Sequence, residues 1–312
     1  MRSSGDRPDD ERRGLAAAAL AAIIYGTAYP ATAVALRSFT PLGVAAIACT
    51  IALPFVVAAA ALGIITRPSR AAWNRASLVR LVVLGGLGGL AFIAATNIAV
   101  ALSGSTITGF VAPLYAVAGS VLAIPILGER LRPVTAAAFG LAIVGTALLA
   151  GVDPSASTLA GVAFALAAAI MFGLYMVLAR RWGSRYALDG SLVTIANLIG
   201  RGPGLLLVEL VRSPGTLVPA HPDPAAVIAV LAIAFGSSST ANLLLMASVR
   251  RVPARRTSAA LLLTPISSAV IGLVLFGDQL SAQGLLGAVL ILIGIAGASG
   301  LTIRSWRQGV AT

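Results

Sequence analysis

At 312 residues, 58% hydrophobic and only 10% charged, with a mean hydropathy of +0.97, the chain lies far outside the range of soluble domains, which average about 25% charged residues. Too few polar residues are present to cover a soluble surface, so the composition predicts an integral membrane protein. The net charge of +12 comes entirely from arginine, and its distribution, described below, orients the chain in a membrane rather than marking a nucleic-acid partner.

A span needs roughly 20 apolar residues to cross about 30 Å of hydrocarbon. Cutting at charges and at Pro/Gly clusters predicts ten helices in chain order: 14–36, 41–63, 79–101, 105–127, 134–152, 159–180, 187–211, 225–248, 257–277 and 283–303. Their lengths, and the absence of period-two alternation, favour helices over a transmembrane barrel. Internal prolines (Pro30, Pro54, Pro113, Pro125, Pro203 and Pro265) are expected to kink helices rather than end them, because neighbouring helices can satisfy the freed carbonyls. The charged segment 1–13 reads as a cytoplasmic tail, and the apolar run after it is too long for a cleavable signal sequence.

With the N-terminus inside, 19 of the 22 arginines fall in the tail, in the loops after spans two, four, six and eight, and at the C-terminus. Arg37 and Arg212 fall outside, and Arg201 falls within a span. This asymmetry places both termini in the cytoplasm and the protein in the cell (inner) membrane. Cys49 is the single cysteine, so no internal disulfide forms, and His221 lies in an outer loop. The spans hold no His, Cys or carboxylate pair at metal-binding or acid–base spacing, so no metal or cofactor is expected, and an intramembrane enzyme lacks its chemistry. The stretch "LGGLGGL" at 84–90 follows no strand and carries no lysine, which favours close helix packing over a phosphate loop.

The sequence repeats itself. "PILGERLRP" at 125–133 and "VLFGDQLSA" at 274–282 share an outline of apolar residues, glycine, acid and leucine, and each follows a proline, Pro113 or Pro265. "AATNIAVALS" and "SSTANLLLMAS" each bury a Thr and an Asn, and "IIYGTAYP" and "IMFGLYMV" share an aromatic–glycine pair. The chain therefore reads as two five-helix halves, 1–152 and 153–312. Five is odd, so a second half that starts outside lies inverted, an architecture recurrent in secondary transporters.

These motifs, above all "YGTAYPATAVALRSFTPL", Pro113 with "LGERL", and Pro265 with "FGDQL", resemble the drug/metabolite transporter superfamily, specifically the EamA-type ten-helix exporters. The resemblance covers essentially the whole chain, and the stretch "ASVRRVPARRTSAALLLTPISSAVIGLVLFGDQLS" is most similar to amino-acid and homoserine/threonine exporters. It implies an exporter of small polar metabolites working by alternating access of two inverted repeats. A broad drug or lipid-linked-sugar exporter of the same fold is the rival within transporters, and a membrane scaffold without flux the rival outside them. Tyr25-Gly26 stands where the family has Trp-Gly. The family's Arg is absent from "AAIACTIA", while the second half keeps one, Arg201, in "ANLIGRGPG".

Arg201 is the most costly residue in the chain, since an arginine at mid-bilayer is unfavourable by roughly 2.5–3.5 kcal/mol on insertion scales. It reads either as a counter-charge for a carboxylate substrate or as a structural group on carbonyls opened by the adjacent Gly and Pro. Asn97 and Asn242, repeated in the two halves, and Tyr25, Tyr29, Tyr115 and Tyr175, on helices that line the family's cavity, complete the expected substrate pathway. Glu129 and Asp278 read as gating residues or as caps of the following helices. Glu209 lies toward the outer end of span seven, about 12 Å from Arg201 along the helix. It either couples protons, or transport is facilitated flux.

Overall fold

The computed structural model describes residues 6–62, 75–129, 133–151, 154–186, 188, 190–212, 217–249, 251–252, 257, 260–276 and 281–298. These form helices α1 (Asp6–Ala35), α2 (Pro41–Ala61), α3 (Arg75–Leu84), α4 (Phe92–Val111), α5 (Tyr115–Leu127), α6 (Pro133–Ala150) and α7 (Ala156–Tyr186). They continue with α8 (Gly190–Ile199), α9 (Leu205–Arg212), α10 (Pro224–Ala232), α11 (Ala241–Val249), α12 (Leu263–Phe276) and α13 (Ala282–Ala298). No strand occurs among the described residues.

Six helical stretches among them are long and apolar enough to cross a bilayer: Asp10–Ala35, Pro41–Ala59, Arg75–Leu127, Ala156–Gly183, Leu192–Arg212 and Pro224–Ser248. Shorter apolar helices cover Ala136–Ala150, Leu263–Val274 and Ala282–Gly297. The stretch Arg75–Leu127 is 53 residues long. At 1.5 Å per residue that far exceeds the hydrocarbon thickness, and the chain bends within it at Gly104 (φ 81°, ψ 171°). Only glycine adopts that conformation without strain. The loop expected between 101 and 105 is thus reduced to a bend about one glycine.

Three stretches depart from α-helical geometry into wider π turns: Gly85–Ala91 (GGLGGLA), Gly200–Gly204 (GRGPG) and Ile233–Thr240 (IAFGSSST). In the second, Pro203 lacks an N–H and its ring crowds the preceding turn. In the third, Ser239 and Thr240 donate hydroxyl bonds to the carbonyls of Ala234 and Phe235, five residues back, which holds the turn open. Wide turns of this kind often mark functional segments.

The glycines of the first wide turn serve close packing. A β-carbon at Gly85 or Gly89 would overlap the carbonyl oxygen of Ala196 or Asn197 in α8. Small residues let backbones approach where lipid supplies no hydrophobic drive between helices.

Contact register fixes helix direction. Gly151 lies against Gln283, Gly145 against Gly287 and Ile291, and Gly294 against Ala138 and Ala142, so α6 and α13 run antiparallel. The same holds for α2 and the α8–α9 stretch: Leu42 and Ala46 pack with Leu205, Gly202 sits on Cys49 and Thr50, and Val56 packs with Leu198. α1 lies on α11 and α12, and α7 lies on α4 and α5. The two aromatic–glycine pairs make these junctions, Gly26 against Thr264 and Ser267, and Gly173 against Ala118 and Gly119.

Pro113 is buried in a 3₁₀ turn, Ala112–Leu114, that joins α4 to α5. Pro265 falls in the first turn of α12, where its missing N–H is tolerated, rather than kinking a helix interior. Asp278 lies outside the described residues.

Candidate functional site

Arg201 sits in the second wide turn, next to Gly202, which packs against Cys49 and Thr50 of α2. Its Nε is buried without a hydrogen-bond partner, and among the described residues Arg201 forms no ion pair. Carbonyl capping by Arg201, one of the two expected roles, has no hydrogen bond to support it there. Its charge acts on Tyr25 of α1, Cys49 of α2 and Tyr175 of α7.

Tyr25 Oη donates to Asn242 Oδ1 at 3.0 Å. Asn242 Nδ2 donates to the carbonyls of Ser237 (3.3 Å) and Ser238 (2.9 Å), which the third wide turn makes available. These two bonds orient the amide so that its oxygen, an acceptor, faces Tyr25. Tyr115 lies near both Tyr25 and Tyr29, and Tyr175 near Tyr25. Tyr175 lies beside Asn197, both against Gly88.

Aromatic rings form one wall. Phe172 sits at its centre, 4.5 Å from Phe92, 4.8 Å from Tyr115 and 5.0 Å from Tyr175 between ring centroids. Arg201, Asn242 and the tyrosines at 25, 29, 115 and 175 are all partly accessible rather than sealed in packing. On α2, Cys49 Sγ lies 3.6 Å from Ser238 Oγ, and Thr50 Oγ1 is buried without a partner.

The structure therefore brings together six of the expected pathway residues: Tyr25, Tyr29, Tyr115, Tyr175, Arg201 and Asn242. Asn97 stands apart. Its Nδ2 donates to the Pro41 carbonyl at 2.9 Å and ties α4 to the start of α2. Near the same point Glu209, 2% exposed, accepts a hydrogen bond from Thr40 Oγ1 at 2.5 Å, while its Oε2 has no partner. Glu129 lies elsewhere, at the end of α5, and pairs with Arg180 at 2.8 Å. Both partners are well exposed, so that pair is worth about 0–1 kcal/mol.

Sequence reasoning did not single out Phe92, Thr50, Ser238 or Asn197. Apolar residues in an apolar span give no contrast, and the polar ones carry no charge. The runs "GRGPG" and "GSSST", which widen the helices at this level, were the available signal.

A fixed cation, an amide acceptor, phenolic hydroxyls and an aromatic wall can bind a small ligand with an anionic group and a hydrogen-bond donor. The group holds no nucleophile paired with a base, and no cluster of His, Cys, Asp or Glu fit for a metal occurs among the described residues.

A model of the EamA-like transporter family matches the chain twice, over residues 12–151 and 159–300. One solved structure, described only as "Crystal structure of protein", is similar at a TM-score of 0.65 and 21% identity, over 96% of this chain and 99% of that one. That similarity concerns the fold. No curated protein matches the chain.

Proposed function

The chain belongs to the EamA-like transporter family, within the drug/metabolite transporter superfamily, and is a multi-pass membrane protein; from that premise we propose that it exports small polar metabolites, amino acids foremost. Ten spans form two inverted five-helix repeats, at 1–152 and 153–312. The substrate carboxylate binds Arg201, and the halves rock about it in alternating access. Both termini face the cytoplasm, in the inner membrane. The antiparallel packing of α6 on α13, and of α2 on the α8–α9 stretch, supports the inversion, because these are equivalent helices of the two halves.

The observation that carries the substrate reading is Arg201 itself. A buried guanidinium nitrogen without a partner is expensive in a membrane. An anionic ligand would supply the missing acceptor. Asn242 Oδ1 would accept from a substrate ammonium, displacing or sharing the Tyr25 hydroxyl.

Glu209 serves as the proton-coupling residue on this reading. Its free Oε2 can take up a proton while Oε1 keeps its bond to Thr40. Transport in proteoliposomes tests both points. Counterflow of a labelled amino acid should appear with the intact chain, and an imposed pH gradient should drive net accumulation. Glu209→Gln should retain counterflow and lose gradient-driven accumulation, because the amide still accepts from Thr40 but cannot carry a proton. Absence of counterflow across the amino acids would remove the substrate assignment. Unchanged gradient-driven uptake in Glu209→Gln would leave facilitated flux.

A further inference from the structure

The end of α7 meets α3 in a group of arginines. Arg180 pairs with Glu129, and Arg181 donates to the Ile126 carbonyl at 2.7 Å, so both are engaged at the end of α5. Arg80 and Arg185 have no ion pair among the described residues. Both instead gather on one ring: Arg80 Cζ lies 3.5 Å and Arg185 Cζ 5.8 Å from the centroid of Tyr186. The two cations are therefore held within about 9 Å of each other, close enough to repel at a membrane surface of lowered dielectric. The ring attracts each of them, but it offers no counter-charge.

The surroundings point to lipid. Val79, Val82 and Val83 of α3, beside Arg80 in sequence, are 58%, 73% and 38% exposed, and in a membrane protein such side chains meet acyl chains. Trp182 lies one turn before Tyr186 and packs on the cluster of Leu81, Leu84 and Leu188. Trp and Tyr together at a helix end mark the headgroup level.

We propose that Arg80, Arg185 and Tyr186 form a site for the phosphate of an anionic phospholipid, whose acyl chains lie along Val79, Val82 and Val83. A phosphodiester is the acceptor that guanidinium forks match best, and placed between the two cations it removes their repulsion. A zwitterionic headgroup brings its own ammonium and neutralises the pair less well. Because α3 belongs to the first matched segment and α7 to the second, the lipid would clamp the two halves where these helices meet. The site is independent of the transported substrate.

Native mass spectrometry of the full chain in detergent tests this, with phosphatidylglycerol and phosphatidylcholine of identical acyl chains as probes. The unaltered protein should retain phosphatidylglycerol in preference. The Arg80→Gln/Arg185→Gln double variant should bind it about thirtyfold more weakly, and the charge-matched Arg37→Gln/Arg212→Gln variant should bind it normally. Equal binding by all three proteins would overturn the proposal. So would full displacement of the lipid by water-soluble glycerol phosphate, which would indicate a site for a free anion. Should the double variant fail to fold, Tyr186→Leu keeps both charges but removes the ring that gathers them. Its phosphatidylglycerol binding should fall severalfold, and no change would equally overturn the site.

Discussion

Replacing Arg201 with Gln should weaken binding of carboxylate substrates by at least about thirtyfold, while leaving the empty protein as stable as before, or more so. The first half of this expectation follows from removing one member of a buried charge pair, which costs about 2–5 kcal/mol. The second half separates the two roles open to this residue. A structural arginine would hold the widened turn together, and its loss would lower stability whether or not ligand is present. In the structure Nε has no partner, so the unliganded protein bears the desolvation of the guanidinium without a compensating bond. Gln removes that burden. Thermal unfolding in detergent, with and without a panel of amino acids, reads both effects at once, because a ligand that binds only the folded state raises its stability. Lower stability with unchanged ligand-induced stabilisation would assign Arg201 to the scaffold.

Gly200→Ala should be the most damaging single-methyl change in the bundle, at about 2–3 kcal/mol. A β-carbon there would overlap the backbone carbonyl of Gly85, and Gly85 in turn abuts the carbonyl of Ala196. Both sides of this junction are backbone, so no side chain can swing away to relieve it. Separating the two wide turns would also displace Arg201, one residue on, so transport should fall further than stability alone explains. Gly86→Ala is the control, since a β-carbon at Gly86 meets nothing within 4 Å on the same wide turn. Its stability should match that of the unaltered protein. A neutral Gly200→Ala would mean that the helices are not in backbone contact.

How much of this was written in the sequence depends on the kind of signal. The helices were legible because a bilayer demands long apolar runs and charges interrupt them. The break between 101 and 105 was placed as well, but not its size, since a bend about Gly104 alone leaves hydropathy unchanged on either side. Arg201 stood out because an intramembrane charge is rare. Asn97 and Asn242 show the limit of repeat logic. Their surroundings match in sequence, yet the wide turn Gly85–Ala91 ends six residues before Asn97, whereas Ile233–Thr240 ends two before Asn242. The freed carbonyls of Ser237 and Ser238 therefore orient Asn242 toward Tyr25, while Asn97 finds the Pro41 carbonyl instead. Equivalent positions acquire different partners because the helical irregularities beside them are out of register. Phe172 was marked by its glycine pair, but its ring partner Phe92 was hidden for a simpler reason: a phenylalanine in an apolar span looks the same whether it faces lipid or a neighbouring ring.

Impermeant maleimide labelling of single cysteines in intact cells tests the opposed threading of the two halves most directly. Cysteine at Ser155, in the connection between the halves, should react from outside, and cysteine at Thr312 should react only after permeabilisation. The native Cys49 is buried and serves as the silent background. Labelling of both introduced sites from the same side would place the halves in parallel, and alternating access by inverted repeats would be contradicted.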